Sequence, residues 1–194
     1  MRFLIGVLLL AVILGYAFGG RLRKIEGLKL RWWGLAPLGL ALQLAPLSGS
    51  THGQRVVTVS LLIASYPILM AFALANIRLA GFGLILVGLA LNMTVISANQ
   101  GMPVTKHALD ASGQGAILHE LQRSPGAKHF LAKPGDVVLE PLADVIPLGD
   151  PVNQVLSVGD VVVYAGVIWL IVAAMRGRST LSLRKSREAE AAPA

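Results

Sequence analysis

Apolar residues in this chain come in long blocks, not at the three-to-four-residue spacing of an amphipathic helix or the alternation of a half-buried strand. The first block covers residues 3–20 and runs directly into the basic stretch 21–31 (RLRKIEGLKLR). Further blocks cover 32–47, 56–77, 79–98 and 158–175. Crossing a hydrocarbon core takes about 20 apolar residues. The pattern therefore predicts an all-α, polytopic membrane protein with about five transmembrane helices, four within residues 1–98 and the fifth at 158–176. The second block is short and holds Pro37 and Pro46, which predicts a kinked or displaced helix. Trp32 and Trp33 at its start suit the headgroup region. Positive charge straight after the first block reads as a stop-transfer flank, so a retained helix is expected in place of a cleaved signal peptide. Gly6, Gly15 and Gly19 would let another helix approach it closely.

Composition agrees with lipid as the solvent: 55% of residues are hydrophobic and 14% charged, against roughly 25% charged in soluble domains. With no cysteine, disulfides, thiolate metal sites and thiol nucleophiles are excluded. The net charge of +7 changes the picture only through its placement. Basic residues sit at the ends of apolar blocks, which points to orientation in a bilayer and away from nucleic acid. An outside amino terminus puts residues 21–31, Arg78 and the basic flexible tail 177–194 on the cytoplasmic side, where Lys and Arg collect. Segment 99–157 then lies outside, with four basic and six acidic residues. The expected partners are the bilayer itself and a second copy or another membrane protein; no cofactor is expected.

The outer segment, 59 residues long, is too long to lack structure. Thr105 predicts the cap of a short helix, and residues 115–123 predict another, with Ile117, Leu118 and Leu121 laid on the membrane surface. Pro134-Gly135 between two short apolar runs predicts a β-hairpin within 129–140. Residues 141–147 are apolar around Asp144 and read as re-entrant.

Two aspartates carry the candidate chemistry. Asp144 sits in an apolar setting and Asp160 at the outer start of the last helix, and ionisable groups beside hydrocarbon are costly enough to imply use. If the re-entrant stretch folds over that helix, the two carboxyls meet and share one proton, one acting as base and the other as acid on a single water. That would suit peptide hydrolysis at the membrane surface. The plain structural alternative is that Ser157-Val-Gly-Asp160 is a capping box and Asp144 caps the turn at Pro147. His107, His119 and His129 lack the spacing of a metal site, so no metal is expected. Asn92 and Asn99 share one face of the fourth helix, where they would line a polar cavity or bond between helices; Gln43 and Asn76 pose the same choice.

The run Asn99-Gln-Gly-Met-Pro-Val104, Lys128-His129 before a turn, Ala143-Asp-Val-Ile-Pro147 and Leu156-Ser-Val-Gly-Asp160 resemble an uncharacterised family of small bacterial multi-pass membrane proteins. The resemblance covers most of the chain and implies an inner-membrane location and no established activity. It draws attention to Asn99, Met102, Pro103, His129, Asp144, Pro147, Ser157 and Asp160. The two aspartate motifs are also similar in style to those of lipoprotein signal peptidases, although the arginine expected before the first aspartate is absent and the spacing is shorter. An integral membrane protein working at its outer face is the reading this supports, with an aspartyl hydrolase or a small transporter or channel subunit as its two more specific forms.

Overall fold

The computed structural model describes residues 2–44, 52–123, 128–133 and 135–180. Seven α-helices are present among them: α1 Arg2–Ala17, α2 Leu35–Leu44, α3 His52–Ala75, α4 Phe82–Asn99, α5 Lys106–Ala111, α6 Gly115–Arg123 and α7 Val158–Met175. Three of these, α3, α4 and α7, are long and apolar enough to cross a bilayer. The other two predicted crossings are shorter helices. α1 has 16 residues, about 24 Å, and α2 has 10, about 15 Å at the helical rise.

Glycine decides how closely the long helices meet. A Cβ added at Gly88 would overlap the α7 backbone at Gly159, and one at Gly166 would overlap the α4 backbone at Gly81 and Ile85. The two helices therefore run antiparallel with backbones in contact, a packing that small residues permit in membranes. α1 runs parallel to α7: Phe3 meets Tyr164 edge-on with centroids 5.0 Å apart, and Gly15 faces Met175. At Gly6 and Gly19, the other glycines expected to mediate contact, an added Cβ would meet no neighbouring element within 4 Å. On the far side of α3, Gly39 of α2 lies against Leu69. Leu62, Tyr66, Leu69 and Ala73 of α3 then pack on Phe82, Leu89, Val95 and Ile96 of α4.

One end of this bundle is basic. The Arg21 amide donates to the Met175 carbonyl at 2.8 Å, and the Ala80 amide to the Ser179 carbonyl at 2.7 Å. Asn76 holds both the amide and the carbonyl of Arg31, at 2.8 and 2.9 Å. Residues 21–31, Arg78, Arg176 and Arg178 thus gather there. Asn76 is a clasp between two chain segments.

The other end carries the outer segment. Strand β1 (Met102–Val104) pairs with β2 (His129–Leu131), and β3 (Ile146–Leu148) with β4 (Gln154–Leu156). Thr105 accepts from the Ala108 amide at 3.3 Å and caps α5 as expected. α6 has the predicted bounds, but its apolar face turns inward. Leu118 and Leu121 pack with Val104, Ala108, Leu109 and Val155 in a core that belongs to the segment itself, while Ile117 stays exposed. Each such buried leucine stabilises the segment by roughly 1.5–3 kcal/mol, which a solvated membrane-surface placement would forgo.

The predicted hairpin is replaced by a different pairing. β2 runs parallel to β1, because α5 and α6 fill the connection and a helical crossover returns the chain in the same direction. Pro134 lies outside the described residues, and Gly135 and Asp136 form a turn. The antiparallel pair occurs later, as β3 and β4.

Candidate functional site

α7 begins where Ser157 caps it. The Ser157 hydroxyl accepts from the Asp160 amide at 3.0 Å, and Asp160 Oδ2 accepts from the Ser157 amide at 3.2 Å, so the expected capping box is formed. The same two side chains are also bonded to α4. Asn92 Nδ2 donates to Asp160 Oδ1 at 2.7 Å, and the Ser157 hydroxyl donates to Asn92 Oδ1 at 2.9 Å. Gly159 makes this possible, since a Cβ there would overlap the Asn92 amide. Capping and site formation are one network, and each oxygen of Asp160 is held by a different group.

Asp144 arrives from above. Its amide donates to the Pro103 carbonyl at 3.0 Å and its carbonyl accepts from Thr105 at 3.3 Å, which places it alongside β1 opposite β2. Residues 140–142 form a short 3-10 turn, and Leu142 packs on the bundle core, so this stretch does fold over the ends of α4 and α7. The Asp144 side chain is 9% exposed. Burial first, and the Asp160 charge second, push its carboxyl well above the usual carboxylate range. Asp144 thus lies within electrostatic range of Asp160.

His129 completes this face, with Nε2 3.7 Å from Asp144 Oδ2. The contact is too long for a tight hydrogen bond. Loss of hydration and then the adjacent Lys128 charge hold His129 below its ordinary value, with Asp160 opposing. Half of the imidazole surface nevertheless reaches solvent, so its loss of hydration is partial. Both partners are biased toward their neutral forms. The pair is better read as a neutral contact than as an ion pair.

Of the other residues singled out by sequence, Met102 and Pro103 are buried beneath Asp144 as backbone support. Asn99 bonds both backbone groups of Val138, at 2.8 and 2.9 Å, and so ties the outer loop to the end of α4. Pro147 lies in β3, paired with Val155 of β4. His107 and His119 are exposed on α5 and α6, and among the described residues no group of three or more metal-capable side chains forms. One contributor was not foreseen. Tyr66 of α3, 6% exposed, reaches Asn92 and lies within electrostatic range of both carboxylates. A tyrosine hydroxyl in an apolar span needs a partner, and that requirement was the available signal.

A family described as "Family of unknown function (DUF5317)" matches residues 27–172. No curated protein and no solved structure matches.

Proposed function

Starting from the chain's membership of that family, whose activity is unknown, we propose that it is an integral membrane protein with an acid–base site at its outer face, built on Asp144 and Asp160. The observation that carries this reading is that Asp144, bridged to β1, lies in the electrostatic field of Asp160, which Asn92 and the Ser157 amide hold in place. A protonated Asp144 beside a hydrogen-bonded Asp160 supplies an acid and a base to one water, the arrangement amide hydrolysis needs. A membrane-anchored peptide is the substrate class that such a depth would serve.

Five crossings fit this reading, with the amino terminus outside and the carboxyl terminus cytoplasmic. α1 runs parallel to α7, and α2 leads from the end where Asn76 holds Arg31 to the outer segment, where Lys128 Nζ donates to the Gln43 carbonyl. The basic end would face the cytoplasm. A pore past Asn92 is less well supported, because its amide is committed to Asp160 and Ser157.

The test is infrared spectroscopy with a cleavage assay on protein reconstituted in bilayers. A protonated-carboxyl band should be present at neutral pH and vanish in Asp144→Asn. Acyl-anchored fluorogenic peptides should be cut, and Asp144→Asn and Asp160→Asn should each slow cleavage by about 10²–10⁴-fold. An ionised Asp144, or cleavage unchanged in both variants, would overturn the assignment.

A further inference from the structure

Basic residues at the outer end are not explained by membrane orientation, and two of them lie at strand β2. The Arg55 guanidinium on the first turns of α3 lies 5.8 Å from the centroid of the Phe130 ring. Lys128 precedes His129 and donates to the Gln43 carbonyl at the end of α2. Neither has a carboxylate partner: His129–Asp144 is the one acid–base contact among the described residues. The outer residues not described, 45–51, 124–127 and 134, contain no acid. Both cations are half-buried, and burial pushes the Lys128 amine below its ordinary value. A half-buried cation without a counter-charge is costly, so this face is short of an anion.

Its surroundings indicate which anion. Lys128 meets α2, an apolar helix, at Gln43. Exposed apolar side chains flank the cations there: Leu44 at the end of α2, and Val56 and Val57 on α3. Apolar surface beside unpaired positive charge at the edge of a bilayer matches a lipid, whose chains would cover the former and whose headgroup would reach the latter.

We propose that Arg55 and Lys128 form a binding site for the phosphate of an anionic phospholipid headgroup at strand β2. Arg55 and Lys128 supply charge-assisted hydrogen bonds to the phosphate oxygens, and His129, the next residue along the chain from Lys128, points to the opposite face of the strand toward Asp144. The site would hold a lipid or lipid-modified ligand with its polar end at β2, and His129 reports on it through the backbone. The inference rests on the outer-face reading above but not on hydrolysis.

The chain has four histidines, so its imidazole resonances can be assigned with His129→Gln and followed by NMR in non-ionic micelles. Short-chain phosphatidylglycerol should move the His129 resonance saturably, and short-chain phosphatidylcholine should do so far more weakly. The double variant Arg55→Gln, Lys128→Gln should raise the midpoint at least about tenfold. Lys128→Arg should keep it within a few fold, which separates lost charge from lost folding. Asp144→Asn should still bind, and binding by the native protein without any peptide cleavage would sink the hydrolase and spare the lipid site. An unmoved His129 resonance, an unchanged midpoint in the double variant, or inorganic phosphate acting at the same midpoint would refute the proposal.

Discussion

Asn92 and Asp160, 68 positions apart, are joined by a 2.7 Å hydrogen bond from the Asn92 amide to one carboxylate oxygen. The other end of the same amide accepts from Ser157. One side chain on α4 thereby orients both members of the α7 capping box. Replacing it with leucine removes a donor from Asp160 and an acceptor from Ser157 at once. Asn92→Leu is expected to cost about 1–3 kcal/mol, read as a lower unfolding midpoint in detergent.

Asp160 separates capping from chemistry. Asp160→Asn keeps a side-chain carbonyl for the Ser157 amide but turns its own amide on Asn92 Nδ2, and should lose about 1 kcal/mol, whereas Asp160→Leu loses both acceptors and should lose about 1–3 kcal/mol. The acid–base reading requires both variants to be inactive despite their different stabilities. Activity that tracks stability across the two would assign Asp160 to capping alone.

Gly159→Val tests whether close helix approach is what builds the site. The added atoms meet Asn92 and the Gly88 carbonyl, and overpacking of this kind costs about 1–3 kcal/mol. If the helices part to make room, Asp160 loses Asn92, and the Asp144 infrared band should shift although Asp144 itself is untouched. A band identical to that of the native protein would show that the aspartate environment does not depend on this contact.

Stability should respond to pH through two opposed groups. Asp144 is raised in the folded protein from an ordinary value of 3.8, so the folded state binds the proton more tightly. Its contribution is full below that ordinary value and is lost as pH rises through the raised one. His129 is lowered from 6.5, so its contribution is full above that value and is lost as pH falls through the depressed one. Unfolding midpoints across pH should lose the alkaline decline in Asp144→Asn and the acid-side decline in His129→Gln. Parallel curves for native and variant proteins would contradict these shifts.

Orientation can be checked because the chain has no cysteine of its own. A cysteine at Asp110, exposed on α5, should react with an impermeant maleimide added to intact cells. One at Arg178 should react only after lysis. The reverse pattern would invert the protein.

Much of this arrangement was legible in sequence wherever the signal was local. α6 and α7 fall on the predicted residues, and the Ser157–Asp160 cap follows from spacing alone. The second block was less informative. Its helix begins only at Leu35, because Trp32, Trp33 and Gly34 form a turn before it starts. Pairings between distant segments left no such mark. Nothing in His129–Leu131 announces a parallel partner in Met102–Val104, and the apolar moment of α6 looks the same whether it faces lipid or a small protein core. Asn92 was noticed for its helix face, but its partner depended on Gly159 lying opposite, a tertiary fact.

The glycine contacts between α4 and α7 also anchor the start and finish of the outer segment on one helix pair. Its folding has less loop-closure entropy to overcome, because the paired helices already limit how far apart the two ends can be. With a core of its own, the segment is a cassette on a fixed frame. Its loops between α5 and α6 or between β3 and β4 can then diverge in sequence, and change what the protein recognises, while the frame that aims Asp160 stays the same.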